Sequence, residues 1–316
     1  MQQSIRQIYV GGTQRSGSTV CGYLLGSHPE VWATRPRELR FLTDPGGLLD
    51  LVFGTRSRIE HAGAFDFQSR IARLRELGRY AVLPPTPDGF LRNLHGKWWM
   101  RLSPDGEPRG LHRGIDPGHM DRVTTTFARE YRDQPHTAAR QLADALLRPA
   151  TISADANTWV DTTPQNAENA HRLVRLNPDA RVIFMIRDGR DTCASIIRRS
   201  WGPTALPEAL SWWRNQALRA HVSVQRAGPK HAKSVLLEDL VLHARQPTLH
   251  ALLEFLDLDI TNEVQTFFDE RMTPQRANIH RWKDEINARD RGKFLDKYVS
   301  VHAELTSLGL RLPPVD

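Results

Sequence analysis

Apolar residues recur along this chain in two rhythms, short unbroken runs and longer stretches at helical spacing. Ile8-Tyr9-Val10 is the first short run. It breaks into Gly11-Gly12-Thr13-Gln14-Arg15-Ser16-Gly17-Ser18-Thr19, and apolar residues then resume helically through Val20, Cys21, Leu24 and Leu25. That order predicts strand, tight loop and helix. Ser27-His28-Pro29-Glu30 stops the helix, with His28 serving the stop, and Val31-Trp32-Ala33-Thr34 is a candidate second strand. Further runs at Trp159-Val160-Asp161, Arg181–Ile186 and Ser234–Leu237 read as buried parallel strands. Helical spacing covers Ala167–Leu176, a helix through Ile196 and Ile197, Leu206–Arg226, Pro247–Leu256, Asn262–Glu270 and Asp290–Leu308. Strands alternating with helices predict an α/β fold, a doubly wound parallel sheet with helices on both faces.

From about Pro45 to Pro149 the pattern loosens into recurring glycine and proline with short amphipathic stretches at Phe67–Leu77 and His136–Leu147. Residues 45–150 therefore read as a mostly helical insertion with long loops, within a single domain spanning 1–316. Lys97-Trp98-Trp99-Met100-Arg101 interleaves basic and aromatic residues there. Trp98, Trp99, Trp212 and Trp213 are bulky residues in periodic stretches, more in keeping with core than with a stacking platform.

Polar residues cluster where the runs end. After the first strand, glycine lets the backbone approach an anion, and the helix start supplies free N–H groups and a partial positive charge. Arg15 adds a full charge. Against the nucleoside-triphosphate pattern Gly-x-x-x-x-Gly-Lys-Ser/Thr, Gly12, Gly17 and Thr19 fall in place, but Ser18 stands where the lysine belongs. The loop is a P-loop-like anion cradle without the β/γ-phosphate tool. A second strand exits into Arg187-Asp188-Gly189-Arg190-Asp191-Thr192-Cys193-Ala194-Ser195. In Arg35-Pro36-Arg37-Glu38-Leu39-Arg40 one carboxylate stands among three arginines beyond a strand end, where open α/β sheets place ligands.

At 316 residues the chain is long enough to bury roughly three quarters of its unfolded surface. A net charge of +7 favours anionic ligands. The basic residues are spread along the chain without zinc-finger, basic-zipper or RNA-binding aromatic spacing, so no nucleic-acid partner is expected. Arginine far outnumbers lysine, which suits bidentate anion contacts. No apolar run is long enough to span a membrane, and a strand beginning within the first ten residues leaves no room for a signal peptide, so a cytoplasmic location is expected. Two cysteines, Cys21 and Cys193, fit a reducing compartment as small buried residues.

With both anion loops in view, the chain resembles the sulfotransferases that use 3′-phosphoadenosine 5′-phosphosulfate (PAPS). Arg15-Ser16-Gly17-Ser18-Thr19 resembles their 5′-phosphosulfate loop, and the span from Arg187 to Ser195 resembles their 3′-phosphate element, an arginine followed eight residues later by a serine. Leu237-Glu238-Asp239-Leu240 is similar to the family's Tyr-Glu-Asp-Leu, and Trp282-Lys283, next to Arg281, to its late loop over the nucleotide's 3′ side. Asp161-Thr162-Thr163-Pro164 is similar to the Lys-Thr/Ser-Pro element of glycan-type members, with Thr162 where the lysine stands.

The resemblance implies roles. Arg15 contacts the bridging and sulfuryl oxygens, Ser16, Gly17, Ser18 and Thr19 close around the 5′-phosphate, and Arg187, Ser195, Arg281 and Trp282 hold the 3′ side. Glu38 is the expected general base for the acceptor hydroxyl, with His61, His95, His112 and His119 as rivals. The acceptor is expected to be a small molecule or glycan, the product 3′,5′-adenosine bisphosphate, and no metal is expected. The oligomeric state is open, a homodimer among the options. Two other readings stand beside this one: a P-loop kinase with Asp188 holding magnesium, and a non-catalytic module binding anions or nucleic acid.

Overall fold

The structure, a computed structural model, describes residues 5–33, 38–55, 85–103, 106–147 and 156–315. Five parallel strands, β1 (Arg6–Gly12), β2 (Val31–Ala33), β3 (Thr158–Asp161), β4 (Arg181–Ile186) and β5 (Ala232–Leu236), form one sheet in the order β2-β3-β1-β4-β5. Tyr9 of β1 lies opposite Asp161 on one side and Val182 on the other. The chain moves outward to β2 after β1 and to β5 after β4, so the strand order reverses at the centre of the sheet. Ligands of open α/β sheets bind at that reversal, beyond the carboxyl ends of the strands.

Both faces of the sheet are covered, and the side-chain period of two shows how. Ile8 and Val10 of β1 and Ile183 and Met185 of β4 join one core with Cys21, Leu24, Leu252 and Phe268. Tyr9, Val182, Phe184 and Ile186 join the other with Trp159, Leu173 and Trp213. The first core is closed by α1 (Ser18–Leu25) and, from the C-terminal third of the chain, by α9 (Arg245–Phe255) and α10 (Asn262–Arg271).

The segment 45–147 contributes α2 (Leu48–Phe53), α3 (Pro87–Asn93) running into a π turn (Leu94–Trp98), α4 (Pro117–Glu130) and α5 (Pro135–Leu147). Its described residues are thus mostly helical, and the stretch His136–Leu147 falls in α5, with one antiparallel bridge between Leu102 and Pro108. Thr86 and Asp116 each cap a helix whose first residue is proline, a favoured start. Phe90, Trp98, Phe127 and Leu142 share the core of Tyr9 and Trp159, so these helices pack onto the sheet. The stretch Phe67–Leu77, His61, and the residues Thr34, Arg35, Pro36 and Arg37 lie outside the described residues.

The remaining helices are α6 (Ala170–Leu176), α7 (Gly189–Ile196), α8 (Leu206–Ala227), α11 (Pro274–Ala277), α12 (Trp282–Glu285) and α13 (Ala288–Ser307). The periodicity predicts a helix from Ala167, but Pro164–Asn169 is a 3-10 turn and α6 starts only at Ala170. This tighter turn lies directly on β1: a Cβ at Gly11 would come within 2.2 Å of the Ala167 nitrogen. Trp98 and Trp213 are core residues, the latter packed on Gly189 at the start of α7. No helix among the described residues is long and apolar enough to cross a membrane.

Candidate active site

The first loop is shaped by two left-handed residues, Arg15 at φ 70° and Gly17 at φ 90°. Gly17 sits directly before α1, whose first turn receives no side-chain cap. The first amides of a helix have no partner within it, so those of α1 face the end of the sheet. A Cβ on Gly17 would touch Leu237 at 3.0 Å, and one on Gly12 would fall 2.4 Å from both the Met185 carbonyl and Ser16 Oγ. The loop is therefore a close-fitting cradle. The hydroxyls of Thr13 and Ser16 are buried without a hydrogen-bond partner. Ser18 is buried at the mouth of α1 and Thr19 is exposed.

The second loop leaves β4, the strand beside β1. Asp188 caps α7 by accepting from the Arg190 amide at 2.7 Å, and it also receives the Arg190 guanidinium at 2.7 to 3.1 Å. Arg190 lies under the ring of Trp282 at 4.7 Å. Asp188 is thereby engaged on both oxygens by arginine. Arg187 donates to the carbonyls of Arg15 (3.2 Å), Ala277 (2.9 Å) and Asn278 (2.6 Å) and pairs with Asp191 at 3.3 Å. It ties the first loop to the late segment around residue 280, and its Nε is buried without a partner. Asp191 completes the tie by accepting from the amides of His280 (2.9 Å) and Trp282 (3.1 Å).

Ser195 marks where these elements meet. Its hydroxyl receives Arg15 Nε at 3.0 Å and Arg281 Nη1 at 3.4 Å. Arg281 is itself paired with Glu285 by two contacts of 2.7 Å. Partial burial, then the charges of Arg199, Arg281 and Arg187, lower the pKa of Arg15 below its ordinary value. Two arginines thus meet on one serine, and the charges of Arg187 and Arg199 act on the first of them. Arg15 and Arg281 meet at Ser195, and Arg187 joins them through the Arg15 carbonyl. The Trp282 ring is buried against Arg190, and that residue meets the cluster through its backbone.

An open groove of about 840 Å³ adjoins this cluster on the outer face of α1. Val20, Tyr23, Val241, Phe267, Met272 and Ala277 line its apolar part, and Ala277 is the residue whose carbonyl holds Arg187.

Glu38 lies beyond the end of β3, where the next two amides meet Asp161 and Thr163. Its Oε2 accepts from Arg40 Nε (2.9 Å) and Nη2 (2.7 Å), and Arg101 Nη1 stands 3.7 Å away. Arg101 also donates to the Glu38 carbonyl at 3.0 Å, so the 45–147 segment reaches the site here. Burial lowers the pKa of Arg101, and the charge of Arg40 adds to this. Asp161 anchors the strand end: its carboxylate accepts from Leu39 N (3.1 Å), Thr163 Oγ1 (3.1 Å) and Asn166 Nδ2 (2.7 Å). Burial pushes the Asp161 carboxyl up to about 6 against these hydrogen bonds. Thr162 faces the opposite way, toward α1, where a Cβ on Gly22 would meet its methyl at 2.1 Å.

The described rival histidines are held by the fold. His95 meets Thr124, while His112 and His119 meet the carbonyls of Trp99 and Ala145. Both cysteines are buried, and burial raises the Cys21 thiol to about 12. Residue type alone gives no sign of Arg101, Arg199 or Asp161 as members of the site. The aromatic-basic interleaving at Lys97–Arg101 takes in Arg101, and the resemblance at Asp161–Pro164 takes in Asp161.

Two arginine-bearing loops thus lie at neighbouring strand ends of a doubly wound α/β sheet. A profile of the Sulfotransferase family matches residues 99–262, just over half of the chain, and the protein belongs to that family. It is 26% identical over 122 residues to the protein-tyrosine sulfotransferase of Drosophila melanogaster, a match that takes in 36% of this chain and 24% of that protein. The chain therefore spans about a quarter of the length of that curated relative. Among solved structures it is similar to the sulfotransferase domain of the Synechococcus PCC 7002 olefin synthase, at 16% identity and a TM-score of 0.49, covering 99% of this chain and 98% of that one. It is likewise similar to sulfotransferase STF9 of Mycobacterium avium, at 15% identity and a TM-score of 0.47, over 99% and 78% of the two chains.

Proposed function

We propose that this protein transfers the sulfuryl group of PAPS to a hydroxyl of a small-molecule or glycan acceptor, releasing 3′,5′-adenosine bisphosphate. The observation that carries this reading is the meeting of Arg15 and Arg281 on Ser195, with Arg187 bound to the Arg15 carbonyl, beside a cradle with orphaned hydroxyls. A donor with anions at both ends of one adenosine needs two such sites a nucleotide's width apart. The amides and hydroxyls of Ser16 to Thr19 take the 5′-phosphosulfate, and Arg187, Ser195 and Arg281 take the 3′-phosphate. The apolar groove at Val20 and Ala277 offers room for the base. We read residues 1–316 as one catalytic domain, with 45–150 shaping the acceptor site and the cytoplasm as its compartment.

Sulfuryl transfer asks for in-line alignment and compensation of charge more than for covalent chemistry by the protein. The acceptor oxygen bonds to sulfur while the bond from sulfur to the bridging oxygen breaks. The bisphosphate leaves with that electron pair, and Glu38 takes the acceptor's proton. Arg15, free to turn from Ser195 toward the bridging oxygen, offsets the charge that grows there. Asp188, engaged on both oxygens by Arg190, is poorly placed to hold magnesium, which argues against the kinase reading.

The test is transfer of labelled sulfate from PAPS to a panel of phenols, sugars and a tyrosyl peptide, with release of the bisphosphate followed in parallel. Glu38→Gln is expected to bind the bisphosphate normally and to lose about 100-fold or more in turnover, the usual contribution of a general base. Unchanged turnover would move the base elsewhere.

A further inference from the structure

We infer that Asp161 and Thr163 are positioning residues for Glu38, forming a platform at the end of β3 that holds the backbone carrying that carboxylate; this rests on the reading of Glu38 as the base.

Glu38 has no secondary structure of its own to fix it, since the residues from Glu38 to Arg40 belong to neither helix nor strand. What holds them is a pair of amide bonds. The Leu39 N–H donates to Asp161 Oδ1 at 3.1 Å, and the Arg40 N–H donates to Thr163 Oγ1 at 3.4 Å. The two acceptors are linked, because the Thr163 hydroxyl donates to Asp161 Oδ1 at 3.1 Å. The second oxygen, Oδ2, accepts from Asn166 Nδ2 at 2.7 Å and the Thr163 amide at 3.3 Å. Both carboxylate oxygens are thus committed, and Asp161 is 1% exposed.

The platform sets a particular geometry. Pinning the two consecutive amides after Glu38 forces a sharp turn, and Arg40 takes the left-handed conformation at φ 52°. A non-glycine residue keeps that conformation only where its surroundings over-determine it. Here the turn brings the Arg40 guanidinium back onto Glu38 Oε2, so the side-chain fork and the backbone platform fix the carboxylate together. The alternation of side chains along an extended segment explains the division of labour: Asp161 and Thr163 meet the Leu39 and Arg40 amides while Thr162 faces α1. The position where glycan-type members carry lysine is therefore a packing contact here, and its neighbours on either side orient the base.

The experiment compares Asp161→Asn, Thr163→Val and Thr163→Ser with the unmodified protein by hydrogen exchange resolved to single amides, together with bisphosphate affinity and turnover. Asp161→Asn turns a carboxylate oxygen into an NH2 group facing amide donors. Thr163→Val removes the hydroxyl and keeps the shape, and Thr163→Ser keeps the hydroxyl. Exchange at Leu39 and Arg40 is expected to rise at least tenfold in Asp161→Asn and Thr163→Val and to stay near normal in Thr163→Ser. Exchange at 14–19 and 187–195 and affinity for 3′,5′-adenosine bisphosphate are expected to hold, while kcat falls at least tenfold with KM for PAPS unchanged. Thr163→Val carries the test if Asp161→Asn fails to fold. Unchanged exchange at Leu39 and Arg40, or bisphosphate affinity falling in step with kcat, would overturn the assignment. Failure of the unmodified protein to bind the bisphosphate would instead count against the donor reading, and the exchange rates would still decide the platform.

Discussion

Arg15 Nε donates to Ser195 Oγ across 3.0 Å, although the two residues belong to different anion loops on different strands. One hydroxyl therefore belongs to both ends of the proposed donor site. Arg187, reaching from the second loop to the Arg15 carbonyl at 3.2 Å, makes a second link in the same direction. The proposed 5′ and 3′ sites are parts of one surface, organised where β1 and β4 end side by side.

Loss of a cation from that surface is expected to discriminate between nucleotides. Arg187→Ala removes a charge-assisted donor, an interaction of about 1.5–3 kcal/mol, or roughly 10- to 100-fold in affinity. The loss is expected for 3′,5′-adenosine bisphosphate and not for 5′-AMP, with Ser195→Ala following the same pattern more weakly. Calorimetric titration of each variant with both nucleotides checks this, and equal losses for the two would place Arg187 away from the 3′-phosphate.

Gly17 holds a conformation that costs other residues about 1–2 kcal/mol, and its Cα also faces Leu237. Gly17→Ala is therefore expected to lower stability by about that amount and to abolish stabilisation by the bisphosphate. Thermal melts with and without the nucleotide read both effects. A variant that melts and binds as the parent does would show that the cradle tolerates a side chain.

Stability should depend on pH through Glu238. Burial pushes its carboxyl up to about 7 from an ordinary 4.5, a bond from the Asp188 amide opposes this, and its Oε2 is buried without a partner. A folded-state pKa raised above the unfolded value means that the native protein holds the extra proton between the two. The contribution is complete below about pH 4.5 and is lost as pH rises through about 7, on the order of 3 kcal/mol in all. Glu238→Gln is expected to flatten the decline in melting temperature between pH 5 and pH 8 and to exceed the parent at pH 8. Parallel curves for the two proteins would contradict the assignment.

Much of this arrangement is legible in the residues. The continuous apolar run Arg181–Ile186 forms β4 over those same residues, because a strand buried on both faces needs no alternation. The glycines and polar residues that end the apolar runs mark the loops after β1 and β4, since a backbone turning out of a strand needs those residue types. The 3-10 turn at Pro164–Asn169 is not legible, because close contact with Gly11 overrides helical periodicity there. Nor is the grip of Arg101 on Glu38 or of Asp161 on Leu39, contacts 63 and 122 residues apart in sequence that only packing creates.

Binding of 3′,5′-adenosine bisphosphate tests the central claim most directly. Isothermal titration without divalent metal is expected to give saturable binding at one site per chain, far tighter than 5′-AMP and weakened by Arg187→Ala. Binding of ATP with magnesium and none of the bisphosphate would contradict the account.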